Sequence, residues 1–161
     1  MATLSVTITE SVTLNGAARG STNSLSITGV DDIFHRIVTV PAGATDLTIA
    51  AFTDSMESRD GALDRDLIKY IRVTNLDSSN PVILNMQQRE DENASAVGNQ
   101  NLGLLLSAGK SFIMGEADSC IDVVGAANDV DDLANLGDLE SIMVDPLAAE
   151  VKVEVFIALV V

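Results

Sequence analysis

At 161 residues the chain is long enough for one domain, which would bury roughly 70% of the surface its unfolded form exposes. Apolar residues make up 47% of it and mean hydropathy is +0.28, against a formal charge of −15. That apolar content excludes an acidic disordered tail, and the acidity disfavours nucleic-acid binding, which depends on Lys and Arg neutralising phosphates.

The first pattern is alternation. Residues 4–8 (LSVTI) place apolar side chains at every second position, the signature of a half-buried strand. Asn15-Gly16 supplies a tight-turn dipeptide, and Leu25-Ser26-Ile27 resumes the alternation. The run IFHRIVTVP then reads as a strand ended by Pro41, and LTIAAF (47–52) as the next.

Residues 53–66, TDSMESRDGALDRD, are predicted as a long polar loop. In LIKYIRVTNLDSSNPVILNM (67–86), two strand-like runs flank a cluster of Asn, Asp and Ser whose side chains can bond their own backbone, so a hairpin or a β-arch is expected. Residues 87–101 (QQREDENASAVGNQN) read as an exposed loop, LGLLL (102–106) as a short buried run, and AGK (108–110) as a turn before the strand SFIM. Cys120 to Val124 is expected to add a strand, LESIMV (139–144) another that stops near Pro146, and EVKVEVFIALVV closes the chain.

These spacings predict an all-β fold: one antiparallel β-sandwich, jelly-roll-like, of about nine to eleven short strands. The final segment carries apolar residues on both faces from Phe156 onward. At roughly 3.3 Å per residue it could run about 36 Å, so it is either a central strand or one whose end another subunit covers.

Seven residues, 155–161, form the longest apolar run, far short of the roughly 18 that cross a bilayer as a helix. MATLSVTITE has no basic segment leading into an apolar stretch and does not read as a secretory signal. Charge is uneven: residues 1–110 hold eight Lys or Arg against thirteen acids, whereas 111–161 hold Lys152 against eleven.

Catalytic chemistry has little material. His35 is the one histidine, so any triad would have to be built around it. Cys120 is the one cysteine and reads as a small buried apolar residue. Zinc is disfavoured, because one Cys and one His make a four-ligand site only with an unusual supply of carboxylates. Asp129, Asp131 and Glu140 fall at positions 1, 3 and 12 of a calcium-loop count, but Leu133 and Ala134 stand where a ligand and a glycine are required, which leaves at most a weak loop site at Asp129, Asp131 and Asp132. AGKS (108–111) lacks the leading glycine of a phosphate loop, because Leu104 stands there. Phe34, Phe52, Tyr70, Phe112 and Phe156 are the only aromatic residues, few for stacking sugar rings. No cofactor and no metal site is expected.

The order of IKYIRVTNLDSSNPVILNM, a polar stretch, LGLLLSAGKSFIMG and a terminal VKVEVFIAL resembles small structural proteins of tailed bacteriophage virions, particularly those of marine phages. The shared features are the Asn-Leu-Asp turn between strands, the glycine turn before Ser-Phe and the closing strand. The resemblance covers residues 67–161 and extends less specifically to the N-terminal part.

It implies a non-enzymatic virion component, made in the host cytoplasm and placed on the outer capsid surface. Decoration or cement proteins of this kind assemble as trimers over capsomers, which would make the partners a homotrimer and the major capsid protein, with no nucleic acid and no membrane. Tail, neck or fibre-associated proteins are the alternative, and a particle-borne carbohydrate-binding module a second. Expected oligomer contacts are Phe156, Ile157, Leu159, Val160 and Val161. Expected capsid contacts lie in the two polar loops, at Arg59, Arg65 and Arg89.

Overall fold

The alternating runs form strands that pair in a nested order. The computed structural model describes residues 1–53, 61–88, 100–115 and 139–160. These hold β1 (Ala2–Thr9), β2 (Thr13–Leu14), β3 (Ala17–Ala18), β4 (Thr22–Val30), β5 (Asp32–Val40), β6 (Leu47–Thr53), β7 (Leu63–Asp64), β8 (Ile68–Asn75), β9 (Val82–Gln88), β10 (Gln100–Leu106), β11 (Ser111–Gly115), β12 (Leu139–Asp145) and β13 (Val151–Leu159). The strand expected at Cys120 to Val124 lies outside the described residues.

From β5 onward, first pairs with last and second with second-last: β5 with β13, β6 with β12, β8 with β11 and β9 with β10, all antiparallel. Two further pairings, β13 with β8 and β12 with β9, wrap this nested hairpin into sheets ordered β11-β8-β13-β5 and β10-β9-β12-β6-β7. Eight long strands exchanging between two sheets in this way make a jelly roll, the all-β sandwich the sequence predicts. Every step from β5 to β6, β8 to β9, β10 to β11 and β12 to β13 is an arch from one sheet to the other.

The core lies between the sheets and is aliphatic. Val73, Val153, Val155 and Ile157 of one sheet meet Val82, Leu84, Ile142 and Val144 of the other, all fully buried or nearly so. Phe52 is its one fully enclosed aromatic ring among the described residues, with Phe34 and Phe112 at the border. Valine and isoleucine suit this role, since β-branched side chains pack well on a pleated surface.

The arch from β8 to β9 answers what the NLDSSN cluster is for. Asn75, completely buried, donates through Nδ2 to the carbonyls of Asn80 (2.9 Å) and Leu106 (3.2 Å) and accepts from the Asp77 amide (3.0 Å). Asp77 Oδ1 in turn accepts from the amides of Ser79 (2.8 Å) and Asn80 (2.7 Å). A crossing between sheets breaks the ladder, and these two side chains satisfy the backbone groups it leaves. The segment is therefore a β-arch and not a hairpin.

Residues 2–30 stand apart from the jelly roll as a two-stranded ribbon. β1 pairs with β4 and β2 with β3, and the bonds from the Glu10 amide to Ser21 and from the Arg19 amide to Val12 join the two stretches into one. Asn15 and Gly16 turn the tip with positive φ at both positions (52° and 77°), the two-residue hairpin the dipeptide predicts. Gly20 permits the close approach midway, since a Cβ there would sit 1.9 Å from the Glu10 carbonyl oxygen.

The proximal part of the ribbon closes the outer face of the four-stranded sheet. Leu4, Val6, Leu25 and Ile27 pack against Val30, Tyr70, Ala158, Phe156 and Val160. This explains the apolar residues on both faces of β13. It is a central strand between β8 and β5, with the second sheet on one side and the ribbon on the other, so the cover comes from the chain itself. No other subunit is required for it.

Candidate interaction surface

The register lays the outer face of the four-stranded sheet out in cross-strand rows. Gly115, Tyr70, Ala158 and Ile33 form one row; Ile113, Arg72, Phe156 and His35 the next; Ser111, Thr74, Glu154 and Ile37 a third. The ribbon sits over the first row. Gly115 makes room for it, because a Cβ at that position would come within 3.1 Å of Leu25 Cδ2.

The second and third rows are tied together by Glu154. Its Oε1 lies 2.8 Å from His35 Nε2, and its Oε2 accepts from an Arg72 guanidinium nitrogen at 2.9 Å. Phe156 is packed between: the His35 ring centroid is 5.6 Å away, the Arg72 guanidinium carbon 5.7 Å above the ring, and Tyr70 meets it edge-on at 6.1 Å. Burial beneath the ribbon raises the Tyr70 phenol above its ordinary value, and the nearby Arg72 charge partly offsets this.

This cluster is not arranged as a triad. The neighbouring hydroxyls, Thr74 and Ser111, bond each other at 2.8 Å, whereas His35 is on β5 and its bond goes to Glu154 on β13. Thr74 on β8 is two inter-strand spacings from His35, about 10 Å, too far for the imidazole to take a hydroxyl proton. What the face offers is an ordered set of side chains in which the Glu154 carboxylate ties the Arg72 guanidinium and the His35 imidazole together beside the Phe156 ring. No group of metal-ligating side chains is found among the described residues. Asp129, Asp131 and Asp132 lie outside them.

Beside this face, between the ribbon and the edge strand β11, runs an open groove of about 350 Å³. Val6, Ile8, Leu25, Tyr70 and Ile113 give it an apolar lining, Asn23 and Ser24 a polar lip, and among the described residues no charged side chain lines it. Beyond the groove the ribbon continues into water, leaving Ile8, Val12 and Leu14 47%, 53% and 60% exposed. The edge strand β10 is also apolar and open. Leu102, Leu104 and Leu105 are exposed, so the run expected to be buried is instead an edge whose end alone, Leu106, enters the core.

The expected contact residues separate on this frame. Ile157 and Leu159 point into the sandwich core and are shut off from any partner, which corrects the expectation that they form an oligomer contact. Phe156 and Val160 are half-buried against the ribbon. Arg65, expected as a capsid contact, is only 7% exposed, because a single 3-10 turn (Arg65–Leu67) carries it inward just before β8. Arg59, Arg89 and Val161 lie outside the described residues. The ribbon, by contrast, held no place among the expected contacts. Its signal is present in the alternation of residues 4–8 and 25–27, but which face a ribbon covers depends on strands more than forty residues away.

No protein-family model matches the chain, no curated protein matches it, and no solved structure matches it.

Proposed function

We propose that this chain is a non-enzymatic structural protein of a virus particle, a capsid decoration protein of the tailed-phage kind that binds capsomers on the outer head surface as an oligomer. The observation that carries the reading is the placement of apolar side chains the fold leaves in water: Ile8, Val12 and Leu14 on the ribbon, and Leu102, Leu104 and Leu105 on an edge strand. Scattered exposed apolar residues are ordinary, but runs of them on strands at the edge of a sheet are the surfaces proteins use for association.

Jelly rolls serve in viral capsid domains and also in lectins, so the fold agrees with the reading by analogy alone. The net charge of −15 favours a protein partner on the outside of a head over contact with packaged DNA. Each apolar Å² covered contributes on the order of 25 cal/mol before association costs, and a symmetric shell multiplies weak contacts into avidity.

Stoichiometry in purified particles tests this. A decoration protein is present at a level approaching that of the major capsid protein, whereas a tail, neck or fibre component is present in far fewer copies. Absence from the particle, or the low copy number, would overturn the assignment to the head. Specific retention on a glycan array would favour the carbohydrate-binding alternative.

A further inference from the structure

We propose that the distal half of the N-terminal ribbon is the self-association surface, and that its occupant is a second copy of this chain. The inference rests on the assembly reading for its purpose but not for its test.

Three observations converge. The first is that the ribbon is unfinished. Residues 7–24 are exposed along both strands, and a two-stranded hairpin without a third strand or a packed face is marginal in water. Yet it is built with care, with an Asn-Gly turn, the Gly20 close approach and cross-strand hydroxyl pairs such as Thr7 with Ser24.

The second is charge. Residues 1–30 contain one acid, Glu10, and one base, Arg19, so their net charge is zero; the other 131 residues hold 23 acids and 8 bases and carry the whole −15. Like molecules repel wherever their bodies meet, and the ribbon is where two copies can touch without that cost. A neutral arm is likewise poorly suited to capturing a charged partner of another kind.

The third is fit. The arm presents Val12 and Leu14 beyond Ile8, and the groove at its base, which Ile8 itself lines, is mostly apolar and uncharged among the described residues. From residue 7 to residue 14 the arm spans about 26 Å, and one ribbon face of about 10 Å width covers on the order of 500 Å² counted on both partners. Reciprocal exchange, in which each copy gives and receives an arm, brings this to about 1,000 Å², the threshold of a specific interface. Expected self-contacts thus move from the final strand to the first.

Light scattering on the full-length protein tests this directly. The wild type forms a defined oligomer, and association tightens as salt is raised, because salt screens repulsion between the acidic bodies. The double variant Val12→Ser, Leu14→Ser is a monomer at the same concentration and melts where the wild type melts once diluted to a monomer, since neither side chain packs in the body. Hydrogen exchange of the wild type guards against a folding defect: amides of residues 7–14 gain protection as concentration rises. A wild type that remains monomeric at high micromolar concentration, an oligomer the double variant preserves, or association that weakens with salt would each overturn the ribbon contact. The particle stoichiometry above would be untouched by that failure.

Discussion

Replacing Asn75 by alanine should be among the most damaging single changes to this fold. The side chain is fully buried and makes three hydrogen bonds, to the Asn80 and Leu106 carbonyls and from the Asp77 amide. A typical bond contributes about 1 kcal/mol net, and a partner left unsatisfied in the interior costs about 1–3 kcal/mol, so the loss should be about 3 kcal/mol. In urea, with a slope of about 2 kcal/mol per molar for a domain of this size, the unfolding midpoint falls by about 1.5 M without a change of slope. Asn75→Asp separates hydrogen bonding from shape: it keeps the acceptor for the Asp77 amide, loses both donors and turns a charge toward two carbonyls, so it should be worse than alanine. A loss under about 1 kcal/mol for Asn75→Ala, or toleration of aspartate, would show that the arch is held by something other than this side chain.

Tyr70 is the only tyrosine, so phenolate absorbance reports it alone. Its midpoint in the native protein should lie above the ordinary phenol value and return to it on unfolding; stability is correspondingly full below the unfolded value and is lost as pH rises through the folded one. A native midpoint at or below the ordinary value would mean that the ribbon does not cover the ring. Gly115→Val should push Leu25 aside, loosen the ribbon and bring the Tyr70 midpoint down, detected by the same titration. Asp77, held below the ordinary carboxylate value by the Asn80 and Ser79 amides, contributes stability that is present above the unfolded value and lost as pH falls through the folded one. Asp77→Asn should therefore flatten the acid limb of a melting-temperature profile, and an unchanged limb would count against those bonds.

Much of the fold was legible because the deciding signals are local. Alternation marks β1, β4 and β13, Asn15-Gly16 marks the ribbon tip, and Asn75 to Asn80 marks a turn whose side chains bond their own backbone, with the choice between hairpin and arch left to the pairing. What was not legible depends on which strands become neighbours. LGLLL reads as core by composition, yet among the described residues it pairs with β9 alone and so is an edge. The apolar outer face of β13 looks unfinished until residues 4–27, more than 120 positions earlier in the chain, are laid over it. His35, Arg72 and Glu154 meet only because β5, β8 and β13 pair in nested register. Arg65 sits in a run that composition marks as polar loop, and a single turn is enough to bury it.

An electron-microscopy map of the whole particle tests the assembly reading most directly. It should place the jelly roll on the outer head surface, with each ribbon, from Thr7 to its tip at Asn15 and Gly16, laid against a neighbouring copy. Density for this chain at a low-copy tail position, or ribbons projecting into solvent with no neighbour along them, would contradict it.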